Sequence, residues 1–317
     1  MPSCIEDLNR PPYPKQIILD IHSFCNAKCV ICPYDYLRKK IKMGIMEKDL
    51  FSKIIDDFSC LAKLKNFNGT VVFCNMGELF FNKEVINRIR YVLKSGLDFS
   101  IQTNGALMSN EVVDRLVESG FTGPITVSCH GISPDVYKRT MGLDIYVTLN
   151  NIDYLISQYP KNKILIQAIP YKWPKGEARR IRKYWRQKGI KVRMPLPNNR
   201  SGLLTSIKTN YKSSLVGCSV GRPLGEMVIC FNGDVVLCCN DMAQQEIVGN
   251  LRENNIEEVW NGDVFIDKIK QIYCGKPSKD DFICKMCESG KRSNLQVLRL
   301  IKNIKYSLKR FFLTRIW

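Results

Sequence analysis

Cys25, Cys29 and Cys32 fall within eight residues, directly after the apolar run QIILDIHSF at 16–24. A buried strand that delivers the chain into a C-x3-C-x2-C loop is a strong constraint, because one short loop then wraps three thiolates around a single metal centre. Three ligands leave one coordination position unfilled. Structural zinc sites are closed by four protein ligands, whereas a [4Fe-4S] cluster held by three thiolates keeps one iron open to a small molecule.

The remaining composition agrees with metal or redox chemistry. The chain has 14 cysteines and two histidines, a count that in a reducing compartment points away from disulfides and away from a histidine-rich zinc enzyme. With 317 residues, 45% hydrophobic and 25% charged, it has enough apolar mass for one large core or a large domain and a small one. No apolar run approaches the roughly 20 residues of a bilayer span, and the N-terminal segment lacks a secretory apolar stretch, so the expected compartment is the cytoplasm. Forty-eight Lys and Arg against 30 Asp and Glu give a net charge of +18, which suits an acidic partner such as an electron carrier, nucleic acid, an anionic membrane or a phosphorylated substrate.

Further apolar runs at Thr70–Phe73, Phe99–Thr103, Ile125–Ser128 and Ile164–Ile169 alternate with helical patterns over 47–66, 84–96, 109–120 and 174–188. Strand and helix alternating at this spacing predict βαβ units and a parallel sheet, with reactive loops at the carboxyl ends of its strands. The pattern changes near residue 200. In VICFNGDVVLCC, Asn232-Gly233 sits between two apolar runs, which predicts a tight hairpin. Seven cysteines lie between 218 and 287. The expected organisation is a 1–200 barrel domain, a small α+β cluster domain over 201–290, and a tail over 291–317. That tail carries eight Lys or Arg and no acid, and it reads as a basic amphipathic helix. Three uses are open for it: peripheral contact with the inner membrane face, binding of a partner, or packing of its apolar stripe on the protein itself.

Cys25-x3-Cys29-x2-Cys32 after the first strand, with Ile31 in the apolar position before the last cysteine, resembles the signature of the radical S-adenosylmethionine superfamily. Asn75-Met76-Gly77-Glu78 is similar to that family's Gly-Gly-Glu segment, whose backbone receives the amino group of the cofactor's methionine moiety; Met76 departs from the commoner residue. Thr103-Asn104-Gly105, Ser128, Arg139 and Gln167 follow in the family's order at later strand ends. The resemblance implies a partial (β/α)6 barrel in which Asn104, Ser128, Arg139 and Gln167 contact S-adenosylmethionine. Arginine suits the cofactor carboxylate because its planar fork donates two hydrogen bonds.

Cys218, Gly233, Cys238 and Cys284-x2-Cys287 make a second constellation. By spacing alone zinc and an iron–sulfur cluster both fit four thiolates. Together with GN…IEEVWNGD at 249–263, the layout resembles the twitch domain, a single-cluster relative of the SPASM domain, and implies an auxiliary [4Fe-4S] cluster. Cys239 is an alternative to Cys238 as ligand, and Cys230, Cys239 and Cys274 leave room for a second auxiliary site.

The resemblance implies an enzyme that generates a 5′-deoxyadenosyl radical and abstracts hydrogen from its substrate. The leading expectation is oxidation or epimerisation of a carbinol in a sugar or aminocyclitol, and the alternative is a peptide- or protein-modifying maturase. Cys74, Cys129, Cys239 and equally Cys230 are candidate hydrogen-atom donors, although buried cysteine ordinarily behaves as a small hydrophobe. His130 and Asn199-Arg200-x-Gly202 are candidate substrate contacts, while Cys4 and Cys60 have no visible role. The partners expected are a small-molecule substrate and a flavodoxin or ferredoxin electron donor; a nucleic-acid-binding reading leaves the ordered barrel motifs unexplained.

Overall fold

The structure is a computed structural model, described for residues 4–292. Strands β1 (Gln16–Leu19), β2 (Thr70–Phe73), β3 (Asp98–Thr103), β4 (Ile125–Ser128), β5 (Ile164–Gln167) and β6 (Lys191–Arg193) pair in parallel, each with the next. Between β1 and β2 lie the single turn α1 (Tyr34–Leu37) and the long helix α2 (Lys48–Leu64). The later crossovers are α3 (Val85–Ser95), α4 (Asn110–Glu118), the pair α5 (Pro134–Met141) and α6 (Ile145–Gln158), and α7 (Glu177–Gln187). The result is the partial (β/α)6 barrel expected from the alternating pattern.

Each helix forms for local reasons and is held by its apolar stripe. In α3, Val85, Ile86, Ile89 and Val92 recur at helical spacing and are buried, and Gly96 ends the helix in the left-handed region. In α4, Ser109 accepts a hydrogen bond from Val112 N at 3.4 Å and caps the first turn. Strand alternation divides the sheet into two faces. Ile17, Leu19, Val71, Phe73, Phe99 and Ile101 join the core beneath the helices. Ile18, Val72 and Cys74 face the opposite side, where Cys74 lines a cavity at the strand ends.

The apolar run at 16–24 is strand only to Leu19. Asp20 then turns its carboxylate to Met76 N (2.7 Å) and Asn75 Nδ2 (3.1 Å), so the β1 end latches the β2 end. The C-terminal part contains β7 (Leu215–Cys218), β8 (Glu226–Ile229), β9 (Asp234–Val236), β10 (Ile247–Asn250), α8 (Ile256–Asn261), α9 (Asp263–Tyr273), α10 (Ile283–Met286) and β11 (Gly290–Arg292). The turn at Asn232-Gly233, with Gly233 at φ 92°, joins β8 and β9 as an antiparallel pair. β8 pairs in parallel with β1, so the small α+β unit extends the barrel sheet into nine strands. β11 pairs with β7, placing Gly290 opposite Cys218.

One expectation is corrected here. Cys4 and Cys274 form a disulfide with a Cα–Cα separation of 5.7 Å, tying the N-terminal segment to the end of α9. Cys274 is therefore not a thiol open to a second auxiliary site, and the cysteine count did not exclude a bridge. No helix among the described residues is long and apolar enough to cross a membrane. The amphipathic helix expected over 291–317 lies outside the described residues, apart from Lys291 and Arg292 in β11.

Candidate functional site

The carboxyl ends of β1 to β5 open on one cavity of about 150 Å³. The loop after β1 lines it with Cys25, Cys29, Ile31 and Cys32. Cys74, Gly77 and Glu78 contribute from the β2 end, and Thr103 and Asn104 from the β3 end. Ser128 ends β4 and His130 follows it, Gln167 ends β5 and Ile169 follows it, and Arg200 enters from the junction with the C-terminal part. Two expected cofactor contacts are placed elsewhere. Arg139 is exposed on α5 outside the cavity lining, and the Met76 side chain packs with Leu37 and Met242 while its N–H donates to Asp20.

The residues around this cavity suit the cationic core of an iron–sulfur cluster and an amine-bearing cofactor. Burial pushes the Cys25 thiol up to about 12 and holds Cys29 and Cys32 above their ordinary values, Cys25 and Cys29 further raised by neighbouring thiols. Thiolates accumulate at such a place only when a metal supplies compensating charge. Gly77 sits at φ 86°, and a Cβ there would lie 2.9 Å from the carbonyl oxygens of His22 and Phe24, so the β2-end loop closes onto the cysteine loop only as glycine. Glu78 is buried and accepts hydrogen bonds from Asn104 N (2.6 Å) and the Thr103 hydroxyl. Burial raises its carboxyl to about 7, and the same cause raises Asp20 to about 7. A carboxylate held in this way is a ready acceptor for an ammonium group.

Cys218, Cys238, Cys284 and Cys287 line a second, tighter cavity of about 20 Å³. They arrive on separate elements: the end of β7, the turn after β9, and the two ends of α10. Burial raises Cys238 and Cys284, and neighbouring cysteines add to it. Asn240 approaches two of the sulfurs, its N–H 3.4 Å from Cys238 Sγ and its Nδ2 3.5 Å from Cys287 Sγ. Cys239 turns the other way and accepts from Arg222 Nη1 at 3.1 Å, so Cys238 is the thiol that faces this cavity. No group of three or more His, Cys, Asp or Glu among the described residues closes to the spacing of a mononuclear metal ion.

The candidate hydrogen donors separate cleanly. Cys74 lines the first cavity, whereas Cys129 is fully buried in the helix-side core, with its Sγ 3.2 Å from Gly131 O. Strand alternation explains this: Ser128 faces the cavity, so the next residue cannot. Cys239 and Cys230 pack with Cys74 around Ile18, Val228 and Val236 but do not line the cavity. Two residues of the surroundings were not foreseen, Asp20 and Lys212. An acid inside an apolar run was a readable signal for Asp20; nothing in the sequence singled out Lys212.

A family model described as the radical SAM superfamily matches residues 19–172, and one described as an iron-sulfur cluster-binding domain, SPASM, matches residues 218–288. The S-adenosyl-L-methionine-dependent 2-deoxy-scyllo-inosamine dehydrogenase of Niallia circulans is 24% identical over 284 residues, 86% of this chain and 92% of the relative. The crystal structure of BtrN in complex with AdoMet and 2-DOIA superposes with a TM-score of 0.62 at 21% identity, over 86% of this chain and 92% of that one. Streptococcus suis SuiB bound to precursor peptide SuiA gives 0.69 at 17% identity, over 89% and 71%. The cofactors that follow are S-adenosylmethionine, the [4Fe-4S] cluster that binds it, and an auxiliary iron–sulfur cluster. With the thiol-lined cavity at the strand ends and a second cysteine set behind it, this chain belongs to the radical SAM superfamily and carries a C-terminal SPASM iron–sulfur domain.

Proposed function

We propose that the protein dehydrogenates a carbinol of an aminocyclitol or related sugar. Cys25, Cys29 and Cys32 hold the first cluster in this reading, and Cys218, Cys238, Cys284 and Cys287 hold the auxiliary one. The observation that carries it is a single turn between the two cavities: Arg200 lines the first, Ser201 lines the second, and both adopt positive φ, 51° and 55°. When bound, the first cluster and S-adenosylmethionine supply hydrogen-atom abstraction from an unactivated C–H bond, and the auxiliary cluster supplies an electron acceptor.

The chain's residues position the reactants. Glu78 receives the cofactor's ammonium group, and Asn104, Ser128 and Gln167 offer polar contacts along the strand ends. Arg200 holds the substrate oxygen between the two sites; its guanidinium lies 3.5 Å from Asn240 Oδ1, beside the auxiliary thiols. Loss of the carbinol hydrogen atom, the hydroxyl proton and one electron leaves a ketone. The short path from Arg200 to Ser201 gives that electron a destination. The dehydrogenase relative and the likeness to BtrN support this substrate class.

The donor of the starting electron is a reduced flavodoxin or ferredoxin. Exposed Lys28, Arg38, Lys39 and Lys40 surround the cysteine loop, and a basic rim accelerates docking of an acidic carrier. Anaerobically reconstituted enzyme with reductant is expected to form 5′-deoxyadenosine and a ketone in equal amounts with aminocyclitols. Cofactor cleavage that responds to a precursor peptide and to no carbohydrate would replace this reading with a peptide maturase. If Cys74 instead returns hydrogen and the product is an epimer, deuterium from solvent will appear at the carbinol carbon.

A further inference from the structure

The auxiliary thiols have an unusual neighbour. Lys212 is 94% buried by its 6% exposure, and its Nζ donates to Cys287 O at 2.6 Å and Asn210 O at 2.7 Å. Its backbone N–H donates to Lys285 O at 3.0 Å, so the residue runs along the turn that carries Cys284 and Cys287. A Cβ on Gly290 would come within 3.2 Å of Lys212 Cδ, which shows how closely the stem is packed.

The surrounding charges make the ammonium distinctive. Lys285, between the two cysteines, is 3.3 Å from Asp280, and Arg222, across the cavity, is 3.5 Å from Glu226. Lys212 has no carboxylate within 4.0 Å among the described residues, although Glu288 stands nearby and accepts from Asn199 N at 3.3 Å. A buried cation without a carboxylate partner is costly unless another anion compensates it. Four thiolates around an iron–sulfur cluster are such an anion, and a fixed positive charge beside them favours the more negative, reduced state.

We propose that Lys212 is a positioning residue for electron transfer: its ammonium braces the Cys284–Cys287 turn and makes the auxiliary cluster easier to reduce. The inference rests on the reading that these four cysteines hold that cluster. It explains why the second site, rather than the first, takes the electron left by the substrate. Arg222, in the cavity wall, reinforces the effect, but Glu226 partly cancels its charge.

The test uses the full chain with Cys25, Cys29 and Cys32 replaced by alanine, so that only the auxiliary cluster gives a paramagnetic signal. Redox titration then compares Lys212, Lys212→Arg, Lys212→Gln and Lys212→Met. Glutamine keeps two amide N–H donors on a stem one atom shorter and carries no charge, so Lys212→Gln, set beside Lys212→Met, separates charge from bracing. At a fixed ambient potential the reduced-to-oxidised ratio is expected to fall about tenfold in Lys212→Gln and Lys212→Met, which for a one-electron couple is about 59 mV. Lys212→Arg should retain the parent ratio. An unchanged ratio in the neutral variants overturns the proposal, as does loss of auxiliary iron from both, which would make Lys212 an assembly residue. A parent protein without auxiliary iron would instead overturn the ligand reading itself.

Discussion

The two cysteine sites are built in opposite ways. The first gathers its three thiols from one eight-residue loop, opens on a cavity of about 150 Å³, and faces the carboxyl group of Glu78. The second gathers four thiols from segments spread between 218 and 287, closes to about 20 Å³, and has Arg222 in its wall and Lys212 bonded to the Cys287 carbonyl. Loop closure favours the first site even before the barrel is complete, whereas the second requires β7, the hairpin and α10 to be in place. Openness and negative charge suit a site that binds a cationic cofactor and gives up an electron; closure and positive charge suit one that receives it.

Removing the first site altogether should have the largest effect. Replacing Cys25, Cys29 and Cys32 by alanine is expected to abolish cleavage of S-adenosylmethionine and lower iron from about eight to about four per chain, one cluster's worth. Retention of cleavage would break the division of labour between the sites. Within the second site, Cys238→Ala should remove the auxiliary iron and abolish ketone formation, while Cys239→Ala should keep both, because Cys239 is turned to Arg222. Equal losses from the two variants, measured by iron and sulfide counting, would show that orientation does not select the ligand.

Glu78 provides a smaller and pH-dependent test. Glu78→Gln removes a charge-assisted contact and should weaken cofactor binding by roughly ten- to a hundredfold, since such bonds contribute about 1.5–3 kcal/mol. Burial raises the Glu78 carboxyl from 4.5 to about 7, so the folded protein holds this proton where the unfolded chain has released it. That contribution to stability is complete below the unfolded value of about 4.5 and is lost as pH rises through about 7. In metal-free protein, wild type should therefore lose stability relative to Glu78→Gln between these limits. Urea unfolding at several pH values checks the sign, and a constant gap would contradict it. Near the second site burial likewise raises the Asp241 carboxyl to about 6, but Gln245 N and Glu246 N hold it away from the cavity lining.

Legibility in the sequence followed the same contrast. The first site could be read because its three cysteines are adjacent in the chain and its other lining residues recur at strand ends, where Gly77, Glu78, Asn104, Ser128 and Gln167 all meet the cavity. Local pattern also disclosed the β8–β9 hairpin through Asn232-Gly233. It could not disclose that β8 pairs with β1, since that register joins residues about 210 apart and leaves no periodic trace. Cys129 was misplaced for a readable reason: it follows a cavity-facing serine on a strand, and alternation turns it into the core. Arg139 was carried over from a resemblance, but its place on the exposed side of α5 depends on the helix's rotation, which a motif does not specify.

The Cys4–Cys274 bridge allows the least disruptive test of the contrast. It closes a separation of 270 residues yet touches neither thiol-lined cavity. Constraining the unfolded chain in this way typically contributes about 2–4 kcal/mol, although the second site depends on the same α9 that the bridge anchors. Cys4→Ala is expected to lower the melting temperature and to remove its response to dithiothreitol, with iron at both sites unchanged. Selective loss of auxiliary iron would mean that the second site relies on a distant covalent tie as well as its own loops. Loss from the first site alone would reverse the contrast, because the loop holding Cys25, Cys29 and Cys32 would then be the one that cannot organise itself locally.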